Sequence, residues 1–109
     1  MTFPNCYNVS DASGTFNLVP IAHGIVIWGG SPQISNLYNC TVSLANPSFT
    51  VTITVPPTNG HYLPIATPYN QGTNNINVTN VVGNAITFTG YASTGSGQQT
   101  NATFIIFGN

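Results

Sequence analysis

The chain of 109 residues contains no lysine and no arginine, and its one acidic side chain is Asp11. Charged residues make up 1% of it, against ~25% in an ordinary globular domain. Nucleic acid is gripped by Lys and Arg neutralising phosphates, and anionic membrane surfaces by clusters of the same residues, so neither partner is expected. No apolar run approaches the ~18 residues of a membrane span, and no membrane insertion is expected. The opening MTFPNCYNVS has neither a basic nor an apolar region of signal-peptide type. With a surface-type composition, this points to release by another route, such as cell lysis. Trypsin-like proteases have no cleavage site.

Other scarcities exclude chemistry. Cys6 and Cys40 are the only cysteines, too few for a disulfide framework or a zinc motif. A Cys6–Cys40 bridge and a pair of buried free thiols both fit. Glycoside hydrolysis ordinarily needs two carboxyl groups, and only Asp11 and the C-terminus are present. A triad of Asp11, His23 or His61 and a serine has no G-x-S-x-G elbow to support it, since GSG at 95–97 is too short. The protein is therefore read as not an enzyme and without cofactors. His23 and His61 have no carboxylate or cysteine at ligand spacing, so no metal is expected. Only a three-fold axis would gather three imidazoles. Sequons at Asn8, Asn39, Asn77 and Asn101 are of the number expected by chance in a chain rich in Asn and Thr, and glycosylation is not expected.

What remains is neutral and β-forming. FTVTITVPP, beginning at Phe49, alternates apolar and threonine residues and stops at two prolines, which places Phe49, Val51, Ile53 and Val55 on one face. Strands are expected at 15–19, 24–29, 38–44, 49–55, 62–67, 76–82, 85–91 and 100–108, each rich in Val, Ile, Thr and aromatics. VVGNAITF reads as a hairpin with Gly83-Asn84 in a primed turn. About eight short strands with turn signals between them predict an all-β antiparallel sandwich of jelly-roll-like type. Residues 15–109 form that domain, and 1–14 are read as a lead-in segment. Ile76 with Val78, Ile86 with Phe88 and Phe104 with Ile106 are expected to point inward. Ile105 and Phe107, like Ile25 and Ile27 against Val26 and Trp28, make strands apolar on both faces, which are usually covered on both. The cheapest second cover is another subunit, the alternative being a loop. A formal net charge of −1 also leaves little repulsion between copies, so a homo-oligomer is expected. Trp28, ending an apolar strand beside two glycines, is read as core or subunit packing in preference to a sugar platform.

Two segments, 56–75 and 90–101, read as exposed loops. They carry His61, Tyr62, Tyr69, Asn70, Gln71, Tyr91, Gln98 and Gln99. Aromatic faces take the C–H face of a sugar ring and amides bond its hydroxyls, neither needing charge, so these residues form the candidate ligand-binding set.

At 23–30 the chain reads HGIVIWGG. This resembles the C-terminal domain of bacteriophage tail-fibre proteins, which typically opens with an N-G-[apolar]-[apolar]-Q-W-G stretch. That family continues with a threonine-rich strand and proline-bounded turn, a V-x-x-x-G-F-T-[apolar] hairpin, and a closing strand like W-[apolar]-A-[apolar]-G. TVSLANPSFTVTITVPP, VTNVVGNAITFTGY and ATFIIFGN stand in those places, so the likeness spans 16–109. Ile27 replaces the glutamine before tryptophan, and Phe104 stands where Trp or Tyr is usual. The resemblance implies a homotrimeric receptor-binding tip of the virion's tail fibre, recognising host cell-surface polysaccharide or protein through variable loops. Two other readings fit the composition: a carbohydrate-binding module of a secreted protein, and a purely structural trimerisation or capsid-decoration domain.

Overall fold

Alternating short strands bounded by Gly, Pro and Asn can bury only one face each, and two sheets stacked on those faces are the natural solution. The computed structural model describes residues 7–11, 14–27, 33–45, 47–68, 75–91 and 101–109. These form nine strands and no helix: β1 (Tyr7–Asp11), β2 (Gly14–Ile27), β3 (Gln33–Tyr38), β4 (Cys40–Ala45), β5 (Ser48–Ile53), β6 (Tyr62–Pro68), β7 (Asn75–Val82), β8 (Ala85–Tyr91) and β9 (Ala102–Gly108). The first sheet runs in the order β1-β2-β9-β6, with β3 also paired to β2. The second runs β4-β5-β8-β7. Every pairing is antiparallel.

The core lies between the sheets. Ala22, Val26, Ala102, Phe104 and Ile106 come from the first sheet; Cys40, Phe49, Val51, Ile53, Ile86 and Phe88 from the second. Three phenylalanines tie them together, with ring centroids 5.0 Å apart for Phe49 and Phe88, 5.8 Å for Phe49 and Phe104, and 6.1 Å for Phe88 and Phe104. The inward pairs Ile86/Phe88 and Phe104/Ile106 are buried as expected. Ile76 packs against the core, but Val78 is 41% exposed although it pairs with the buried Phe88. It shares the inward face, yet it lies on an edge strand where the cover from the first sheet is incomplete.

Several expected elements differ in a physically informative way. The strands expected at 15–19 and 24–29 are one strand, β2. Pro20 does not break it, because it sits at a register shift where the ladder to β9 is irregular. The strand expected at 38–44 is divided at Asn39, whose φ is 55°. Tyr38 ends a strand of the first sheet and Cys40 begins one of the second, so Asn39 is where the chain changes sheets. QISNLY forms β3 although all six residues are exposed and none alternates. Tyr7–Asp11, within the segment read as a lead-in, pairs with the start of β2. The Phe49 strand stops at Ile53. Thr54 and Val55 turn to donate their amides to the Asn39 carbonyl and Oδ1 at 2.9 Å each, which leaves Val55 66% exposed instead of inward. Gly83 has φ 60° in the hairpin turn, and the Asn84 side chain donates to Ile53 O at 2.7 Å.

The outward face of the second sheet shows how a surface without charge satisfies itself. Ser48 and Thr89 hydroxyls lie 2.9 Å apart, Thr89 and Thr79 2.9 Å, and Thr50 and Thr87 3.0 Å. Thr79 donates its one hydrogen to the Thr87 carbonyl, so it accepts from Thr89, which in turn accepts from Ser48.

Candidate functional site

A depression of about 610 Å³, open to solvent, lies on the outward face of the first sheet. Cross-strand register builds its floor in two rows. The first runs Tyr38–His23–Ile105–Ile65 across β3, β2, β9 and β6. The second runs Ile25–Thr103–Thr67 across β2, β9 and β6. Ile25 and Ile105 are thus half-buried residues of the outward face, whereas Phe107, expected to share that face with Ile105, is buried.

A bulge shapes the β3 wall. His23 pairs with Tyr38 and Ile25 with Ser35, so two residues, Asn36 and Leu37, oppose the single Gly24. Asn36 takes φ 54°, a conformation asparagine tolerates better than most. Gly24 is required here: a Cβ would lie 2.6 Å from Leu37 Cδ2 and 2.7 Å from Phe104 Cζ. The bulge ends at Tyr38, whose ring stacks on the His23 imidazole with centroids 5.4 Å apart and planes 16° from parallel. Tyr38 is 58% exposed, so one aromatic face stays open to solvent. The volume and the mix of apolar floor, stacked rings and a few hydroxyls suit a small neutral ligand.

Beneath the stack, Cys40 is a free, buried thiol that donates to His23 O at 3.6 Å. Burial pushes its pKa up, opposed in part by backbone hydrogen bonds at Tyr38 and His23. Among the described residues no group of three His, Cys, Asp or Glu side chains gathers to hold a metal. No helix among them is long and apolar enough to cross a membrane.

The residues singled out in the sequence are placed elsewhere. His61 extends the β6–β9 ladder, exchanging backbone bonds with Asn109 at 3.0 and 3.1 Å. Tyr62 is half-buried against the core, and burial pushes its phenol pKa up. Tyr91 ends β8 next to Gly90, whose amide donates to Pro47 O ahead of β5. His61 O lies beside Gly108 with Pro57, beyond the other end of β5. His61 and Tyr62 are thus at one end of the sandwich and the Tyr91 backbone at the other. Tyr69, Asn70, Gln71, Gln98 and Gln99 lie outside the described residues, as does Trp28. Sequence reasoning missed Tyr38 because it closes a polar strand. The GGSP turn signal at 29–32, lying in the sequence between β2 and its antiparallel partner β3, was the available clue.

No protein-family model, curated protein or solved structure matches the chain.

Proposed function

We propose that this is a non-enzymatic recognition domain that takes a neutral glycan on the outward face of its first sheet. The observation that carries this reading is the exposed Tyr38–His23 stack beside an uncharged floor of isoleucine and threonine. An open aromatic face packs against sugar C–H groups, and Thr67 and Thr103 of the floor with Asn36 of the β3 wall offer neutral hydrogen-bonding groups. Weak single sites of this kind gain by avidity when several copies are joined. That need, the near absence of charge and the ordered sequence resemblance support the fuller proposal: the trimeric, jelly-roll-like tip of a phage tail fibre, binding a host-surface glycan. The free thiol at Cys40 weighs against the alternative of a disulfide-bridged binding module from a secreted enzyme.

The test is binding of the purified domain to host cells and to an array of neutral glycans. Tyr38→Ala should weaken binding about fivefold per site, the scale of one aromatic contact, with an unchanged melting temperature because the ring is exposed. Full binding by a Tyr38→Ala/His23→Ala variant would reject this site.

A further inference from the structure

The first sheet has edges at β1, β3 and β6, of which β3 carries neither proline nor charge. The β6 edge of the first sheet carries Pro64 and Pro68, which have no amide hydrogen to offer a new strand. Among the described residues the second sheet has unpaired edges at β4 and β7, and neither strand contains a proline or a charge. On β7, Val78, Val81 and Val82 are 41%, 48% and 64% exposed. Val78 and Val81 pair with the buried Phe88 and Ile86, so they continue the core face beyond its cover.

The register of the whole sheet can be followed row by row. Val42–Val51–Ile86–Val81 is one inward row and Leu44–Phe49–Phe88–Val78 the next. Between them lies the outward row Ser43–Thr50–Thr87–Asn80. Each row begins on β4 and ends on β7. Because neighbours alternate in direction across four strands, β4 and β7 run oppositely. A copy rotated about an axis along the strands keeps every row at its own height and presents its β4 antiparallel to this β7. Val81 then meets the neighbour's Val42, Val78 meets its Leu44, and Asn80 meets its Ser43: apolar against apolar, polar against polar.

We infer that β7 pairs with β4 of a second copy, joining second sheets head to tail around an axis parallel to the strands. The contact is heterologous, so it makes a closed ring or an open filament. Closure at three rests on the trimeric reading proposed above. With a formal charge of −1 per chain, little repulsion separates the copies.

The test is a charge swap on one outward row, read as solution mass by light scattering. The unaltered chain should give three times 11.4 kDa. Asn80→Lys places like charges on no contact of its own, so it is combined with Ser43→Lys. That double variant sets lysine against lysine at every junction and should fall to 11.4 kDa. Asn80→Lys with Ser43→Glu sets lysine against glutamate and should restore the full mass. Both side chains are exposed, and unchanged melting of the monomeric form excludes misfolding. A trimer that both double variants leave intact would overturn this interface while leaving the trimeric reading in place. A monomeric unaltered chain would overturn both and leave the glycan site standing. A two-fold β7–β7 dimer would keep Asn80→Lys/Ser43→Glu dissociated, which also rejects the inference.

Discussion

Phe49 on β5 and Phe104 on β9 face each other across the two sheets with ring centroids 5.8 Å apart and planes tilted by 38°. Phe49 is 0% and Phe104 4% exposed, so this contact joins the layers at their centre. Truncating either ring leaves a cavity between two sheets whose backbones are held by their own ladders and cannot collapse to fill it. Phe104→Ala should cost about 3–5 kcal/mol in urea unfolding, and Phe49→Ala a similar amount. A loss below about 1 kcal/mol would mean that the sheets close without this contact.

Asn39 holds the crossing between sheets. Its Nδ2 donates to Ile21 O and Val55 O, each at 3.0 Å, and its Oδ1 accepts from Val55 N at 2.9 Å. Asn39→Ala should cost about 2–4 kcal/mol, the scale of three such bonds. Asn39→Gly should be milder by about 1 kcal/mol, because glycine keeps the positive φ without strain. Equal losses in the two variants would show that the backbone conformation contributes nothing.

Gly24→Ala would set a methyl group 2.6 Å from Leu37 and 2.7 Å from the Phe104 ring. The expected cost is about 1–3 kcal/mol in thermal unfolding. Because Leu37 precedes Tyr38 in the bulge, glycan binding should fall as well. A variant with native stability would mean that the bulge shifts freely, and Tyr38 would then not be held in place by it.

Burial raises the pKa of Cys40 above 9.0 and of Tyr62 above 10.0. Both groups are neutral when protonated, so the folded state keeps its protons to higher pH than the unfolded chain. Stability is therefore fully present below pH 9.0, starts to fall as unfolded Cys40 ionises, and falls further above pH 10.0 as Tyr62 joins it. The decline ends only above the folded-state values. Urea midpoints measured from pH 7 to 11 should show it, and Cys40→Ala should move the onset from about 9 to about 10. An unchanged onset would show that Cys40 ionises alike in both states.

Much of the secondary structure was legible because it rests on local alternation. The segments at Phe49, Ala85 and Ala102 announce both their strands and their inward faces. β3 was not legible, since six exposed residues carry no period, and its strand exists only because β2 lies alongside. Val55 was misplaced for a related reason: alternation continues through it, but hydrogen bonds to Asn39 pull it out of the ladder.

The candidate site was less legible still. Loop composition drew attention to His61, Tyr62 and Tyr91, whereas the exposed stack is formed by His23 and Tyr38, fifteen residues apart in the chain and adjacent only through a bulged pairing.

The sequence alone determined that the chain is all-β and that it carries almost no charge. These are properties of composition and of a two-residue period, and every segment expresses them by itself. The tertiary structure decided which residues share a row, which edges stay open and where aromatic rings meet. Those depend on register between distant strands, set here by the bulge opposite Gly24, the shift at Pro20 and the crossing at Asn39.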